Sequence, residues 1–277
     1  MIGAYRALTC TLYFSGDFDA ARQYALRGVR IWRSGGAKSH VEEPITPAVS
    51  CLYFQALSEW HLGEIASSQA AMAGAISLAK ELNDTHALAA ALHFAGLLGQ
   101  FGRNPAEVER CASDLIELST RQTFAFWLTG GEILRGWARS ASGSTAEGIA
   151  WIEDGIVDWR ATGGKLIMPY WLALKAEALH LAGHVSEALE AIREAEALVE
   201  ISGERWWYAE LHRLRGVFLV TLGADEAQIE ASLCAAIRLA KEQKSISLEK
   251  RAEGTYAEYR RQKANASGGG GFRLPLW

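Results

Sequence analysis

Proline is scarce in this chain, five residues in 277, so little in the composition interrupts long helices. An excess of basic residues is also missing. The formal net charge is -4, which gives no electrostatic reason to expect nucleic acid, whose binders carry a basic face that displaces counterions from phosphate. No apolar run is long enough to cross a bilayer, and the stretch His86 to Gly99, HALAAALHFAGLLG, contains two histidines. The amino-terminal stretch meets Asp17 early and lacks a basic lead followed by a small-residue cleavage site, so no signal peptide is expected. The four cysteines, Cys10, Cys51, Cys111 and Cys234, are far apart and form no C-x-x-C pair, which argues against a zinc knuckle or a disulfide framework and for reduced thiols in the cytoplasm.

What is present is a repeat. Glycines that end apolar, helix-like runs recur in the phrases YFSGDFDAA, WHLGEIASS, GQFGRNPAE, SASGSTAEG, HLAGHVSEA and VTLGADEAQ, at Gly16, Gly63, Gly102, Gly143, Gly183 and Gly223. Successive spacings are 47, 39, 41, 40 and 40 residues. A period near forty with helical periodicity on both sides of each glycine is the signature of stacked helical hairpins. Glycine suits the turn because the chain leaves a helix there through a left-handed conformation, and Asp17, Ser144, Ser186 and Asp225 are placed to cap the helices that follow. Small residues stand seven positions before each glycine, at Thr9, Ala56, Ala95, Gly136, Ala176 and Gly216. A second column twelve positions after it holds Gly28, Ala75, Asp114, Gly155, Ala195 and Ala235, small at all but Asp114. Such columns let two helices of one hairpin approach closely, and they resemble the small positions of the tetratricopeptide repeat, here with a longer unit than the usual 34 residues. The expectation is therefore an all-α, right-handed superhelix, an α-solenoid of about six long-helix hairpins, over residues 1–263.

The long first spacing is accounted for by RSGGAKSHVEEPITP, Arg33 to Pro47, a connection rich in glycine and charge whose Pro44 and Pro47 can start the next helix. Ser245 to Lys263 reads as a capping helix. Residues 264–277 are expected to be a flexible linker, ANASGGGG, and an apolar tip, FRLPLW.

Candidate chemistry is thin. His180 and His184 stand four apart, as metal-binding histidines on one helix face do, but Gly183 lies between them at the expected helix end and breaks the shared face. SGGAKS, Ser34 to Ser39, lacks the glycines of a phosphate loop, and TGGKL, Thr162 to Leu166, lacks the hydroxyl that should follow the lysine. Glu187, Glu190 and Glu194 line one face of a helix whose other face is apolar, which reads as a solvated face. No catalytic, metal or cofactor residues are assigned.

The most specific constellation is basic. Arg135, Lys175 and Arg215 each stand eight residues before their glycine, at equivalent places on three first helices. If first helices line a concave surface, the three form a ladder able to hold acidic side chains or a terminal carboxylate of a partner protein or peptide, with Trp171 and Trp206 beside them. The alternative pairs them with acids of this chain, Glu132, Glu177 or Glu210. Trp206 and Trp207 are adjacent, so on a helix they could not both face one side.

At FAFWLTGGEILRGWA, Phe124 to Ala138, and from GERWWYAELHRLRG through LVTLGADEAQIEASLCAAIRLAKEQKSISLEKRA, the chain resembles the carboxy-terminal tetratricopeptide-like region of bacterial signalling proteins that join a class III adenylate or guanylate cyclase to a STAND-type ATPase. The likeness runs from about Gly63 to Lys263. It implies a non-catalytic interaction or regulatory module in signal transduction whose partner is a protein or peptide, such as a cyclase or ATPase domain. The cyclase aspartates and the Walker motif of that family are not in this sequence. A second reading is a sensor that lodges a small effector in an aromatic groove around Trp127, Trp137, Trp171 and Trp206.

Overall fold

A computed structural model of the chain describes residues 2–35, 45–265 and 274–276. Among these residues thirteen helices follow one another, and there is no strand. They form six antiparallel hairpins: α1 (Ile2–Ser15) with α2 (Phe18–Arg33), α3 (Pro47–His61) with α4 (Ile65–Glu81), α5 (Thr85–Phe101) with α6 (Pro105–Gln122), α7 (Ala125–Ala141) with α8 (Thr145–Ala161), α9 (Met168–Leu181) with α10 (Val185–Ser202), and α11 (Tyr208–Thr221) with α12 (Glu226–Glu242). α13 (Ile246–Asn265) ends the stack. The solenoid of helical hairpins is thus the architecture of the chain. The expected linker begins inside α13, since Ala264 and Asn265 are helical, and its remaining positions, 266–271, lie outside the described residues, as does Pro44.

One device closes nearly every turn. At the end of α3 the amide of Glu64 donates to the carbonyl of Glu59 at 2.8 Å and that of Gly63 to Trp60 at 3.0 Å, the paired bonds of a Schellman motif, with Gly63 left-handed between them. The same pair recurs at Asp17 and Gly16, Asp84 and Asn83, Asn104 and Arg103, Ser144 and Gly143, His184 and Gly183, Ala224 and Gly223, and Ser245 and Lys244. Left-handed residues stand at 63, 83, 103, 123, 143, 163, 183, 203 and 223, every twenty residues, and then at 244. The third hairpin corrects the sequence register: Gly102 is not left-handed, and Arg103, with φ +55°, makes the turn. Counted on the true turn residues, the spacings after the first are all 40. The small-residue column moves with it, from Ala95 to Gly96, and its partner from exposed Asp114 to buried Leu115.

The residue after each turn begins the next helix. Asp17, Asp84 and Asn104 accept side-chain hydrogen bonds from Ala20, Ala87 and Glu107 at 3.1, 2.9 and 3.1 Å. Ser144 and Asp225 occupy N-cap positions without such a bond, whereas Ser186 lies inside α10 and His184 takes the cap position.

Thr123 is the strained member of the series, a β-branched residue at φ +55° and ψ +38°. Thr123→Gly should stabilise the protein by about 1 kcal/mol, because the left-handed cost to a β-branched residue exceeds the entropy that glycine adds to the unfolded chain. The urea midpoint measures it. An unchanged midpoint would mean that the turn stores no strain.

First and second helices differ in burial. Of the fifteen residues of α3, thirteen are buried, against five of seventeen in α4. The first helices α3, α5, α7, α9 and α11 are covered over most of their surface because the stack bends until its ends meet, while α1 buries only four of its fourteen residues. The carbonyl of Phe14, at the end of α1, accepts from the amides of Arg205 and Trp206 at 2.8 and 3.2 Å, while Gln243 reaches Arg205 at 2.7 Å. His61 and Ser245 approach to 2.9 Å, and Ser247 donates to the carbonyl of Trp60. Tyr13, His61, Phe101, Tyr170, Trp206 and Trp207 therefore meet at the axis, with ring centroids 4.7 Å apart for Phe101 and Trp207 and 5.1 Å for Tyr170 and Trp206. The inner face is a shared aromatic core and not an open groove.

Candidate functional site

Arg103 is where the fold departs from its own rule and places a charge inside. The turn position that other hairpins give to glycine points this guanidinium toward the axis. There it donates to Glu177 Oε2 at 2.6 Å and to Glu210 Oε1 at 2.7 Å, two acids from α9 and α11 that are themselves buried. Trp137 Nε1 also donates to Glu177, at 2.8 Å. Arg213 grips Glu210 through Nε and Nη2 at 2.9 and 2.8 Å, and Arg251 from α13 adds a third contact at 3.2 Å. Arg251 also donates to the carbonyl of Phe101 at 2.6 Å and lies over the ring of Trp60.

Burial opposes the charge of Glu210, but the guanidiniums of Arg213, Arg251 and Arg103 outweigh it and hold its carboxyl well below the usual carboxylate range. Arg251 moves the unfavourable way, down to about 10, because burial and the neighbouring Arg103 and Arg213 outweigh its attraction to Glu210. Three arginines crowd around the carboxylates of Glu177 and Glu210, so each guanidinium lies near another as well as near an acid. Residues 274–276 pack beside this group. Arg213 Nη2 donates to the carbonyl of Leu276 at 2.8 Å, its Nη1 to Thr255 of α13 at 3.3 Å, and Leu274 and Leu276 are buried against the core.

The expected ladder lies elsewhere. Arg135 pairs with Glu109 at 3.0 Å and covers Trp151, Lys175 pairs with Glu153 at 2.8 Å, and Arg215 pairs with Glu196 at 3.2 Å. Each acid comes from the second helix of the preceding hairpin, so the pairs tie hairpin to hairpin, with partners other than Glu132, Glu177 and Glu210. Trp171 and Trp206, expected beside the ladder on a concave face, are buried at 0% and 1% exposure and present no surface to a partner. Trp206 and Trp207 are both inside because they precede α11 in a turn, where helical periodicity does not separate them. His180 stacks on Phe218 at the end of α9 while His184 bonds Glu187 at 2.8 Å, so the two histidines face different surroundings. Of the cysteines, Cys51 and Cys111 are buried, and Cys234 is exposed.

Two buried groups set the response to pH. Glu204, in the turn that meets α1, accepts from Trp206 Nε1 at 2.8 Å and from the amide of Ile167 at 2.9 Å, yet burial outweighs these bonds and pushes its carboxyl up to about 7. His93 sits among Phe94, Trp127, Trp159 and Trp171 with no protein hydrogen bond to either ring nitrogen, and burial lowers it to about 3. Raised in the fold, Glu204 supplies stability at low pH that is lost as pH rises from about 4.5 through about 7, up to about 3 kcal/mol. Depressed in the fold, His93 supplies stability above about 6.5 that is lost as pH falls toward about 3, up to about 5 kcal/mol. The two slopes oppose each other between pH 4.5 and 6.5, so difference curves are needed. Relative to the parent, Glu204→Gln should gain as pH rises through that window, and His93→Leu should gain as pH falls. Urea denaturation from pH 4 to 8 reads both, and flat difference curves would refute the assignment.

No family model matches the chain. It is similar to an uncharacterized protein of Rhizobium meliloti (strain 1021), 27% identical over 204 residues that make up 73% of this chain and 20% of the relative. The chain thus corresponds to about a fifth of that protein's length.

Proposed function

We propose that the chain is a non-catalytic, tetratricopeptide-like interaction and regulatory module of a bacterial signalling protein, receiving a partner protein or peptide and acting on an associated output domain such as a cyclase or ATPase. The observation that carries this reading is a groove of about 750 Å³ between α2 and α4, floored by α3, where Leu26, Trp32 and Leu78 leave apolar surface uncovered above buried Val29 and Leu52, and Arg30, Arg33 and Glu81 supply charge at the rim. The groove lies between second helices, on the outer side of the array. The much longer relative agrees with a module that works within a larger assembly.

The effector-sensor reading has less to stand on, because Trp127, Trp137, Trp171 and Trp206 are all buried in the core and leave no common groove for a ligand. A tagged full chain should recover a stoichiometric protein from lysate of its source bacterium, and Leu26→Asp with Arg30→Glu, both at exposed positions of the groove, should lose that protein while keeping the parent's melting temperature. Unchanged recovery by the double variant would sink the groove. A small molecule that raises the melting temperature of the chain, with no protein recovered, would favour the sensor instead.

A further inference from the structure

The tail contact is built as a ligand site and not as a surface accident. Leu274–Leu276 is a tripeptide outside any helix whose two leucines are buried and whose last carbonyl meets Arg213, a charged side chain only 1% exposed. Arg213 is fixed from two other directions, by Glu210 through a bidentate pair and by Thr255 across to α13, so its remaining donor is aimed before the peptide arrives. A guanidinium N–H held in this way favours a peptide carbonyl oxygen as its acceptor, as the 2.8 Å bond to Leu276 shows. Two apolar anchors separated by a residue with fixed φ, plus one main-chain hydrogen bond, is how grooves read short extended segments. Only residues 266–273 join this tripeptide to α13, four of them the glycines 268–271.

We infer that the site between α11 and α13 is a peptide-recognition site, held in cis by the chain's own Leu-Pro-Leu, and that its ligand in trans is an extended segment of another protein carrying the same leucine spacing. A tether this short presents the tail at an effective concentration of the order of millimolar, so the cis segment screens out weak competitors. An incoming peptide must displace Leu274–Leu276. The site is separate from the α2–α4 groove and does not depend on it.

The test uses the whole chain with a protease site replacing residues 267–270. After cleavage and dialysis, fluorescence anisotropy follows a labelled, acetylated peptide of sequence FRLPLW. The nicked chain should bind it saturably and remain folded by circular dichroism, the intact chain should bind it at least about tenfold more weakly, and FRDPDW should bind neither. Exchange of a retained tip for the labelled peptide supports the site equally. Failure of the folded, nicked chain to bind, equal binding of both peptides, or unfolding once the tip leaves would each overturn the proposal, the last by making the tail a structural strap. Concentration-dependent dimerisation of the intact chain, read by sedimentation, would assign the trans ligand to a second copy and overturn the inference of a separate partner.

Discussion

Glu210→Leu should destabilise the protein by about 3 to 5 kcal/mol, a large share of the stability of any single domain. The carboxylate is 1% exposed and is shared by Arg103, Arg213 and Arg251, which come from the third turn, α11 and α13. Removing it takes from three largely buried guanidiniums the carboxylate that they share. Glu177→Leu should cost less, since Arg103 keeps Glu210 and only the Trp137 bond is otherwise lost. Replacing both members of the bidentate pair, Glu210→Leu with Arg213→Leu, should recover part of the loss, because the damage comes from the unpaired charge more than from the missing attraction. Urea titrations of the four proteins decide the order. If Glu210→Leu melts with the parent, the network is not desolvated.

The hairpin array was legible because glycine marks most of its turns and five prolines leave the helices unbroken. Its finer period was hidden. Asn83, Arg103, Thr123 and Lys244 occupy left-handed positions without the residue that advertises them, so twenty-residue units read as forty-residue ones, and the third turn shifted by one position. Arg103 was the available signal: an arginine next to the expected glycine, in a turn that the other hairpins give to small residues. Glu177 was another, an acid within the otherwise apolar helix MPYWLALKAEALHL. Neither could be joined to its partner from the sequence, since Arg103 lies 74 residues from Glu177 and 107 from Glu210, and only the curvature of the stack brings them together. The same curvature turned an expected concave face into an aromatic core. Small differences in the angle between hairpins, each set by many side chains, accumulate over six units, and no local pattern encodes their sum.

Gly136→Ala tests the closest of these helix crossings, and the expected loss is about 2 to 3 kcal/mol, more for Gly136→Leu. A methyl group there would lie 2.6 Å from the carbonyl oxygen of Gly148 and 3.0 Å from the amide nitrogen of Ile152, so backbone meets backbone and α7 and α8 must separate. Gly216 occupies the equivalent place in the sixth hairpin, but its added methyl would meet only the end of the Leu233 side chain, at 2.5 Å, with backbone no nearer than 3.7 Å. Leu233 can turn away. The helix propensity gained on replacing glycine, about 1 kcal/mol, should then offset much of the crowding in Gly216→Ala. Gly74 and Gly254 have no neighbour within 4 Å of such a methyl and set the reference, with an expected gain of up to about 1 kcal/mol for either alanine. The order Gly136 far below Gly216, and Gly216 below Gly74 and Gly254, separates crossing distance from propensity, because all four substitutions make the same chemical change. Thermal melts that place Gly136→Ala level with Gly74→Ala would mean that α7 and α8 do not touch through their backbones, and the small-residue column would lose its physical basis.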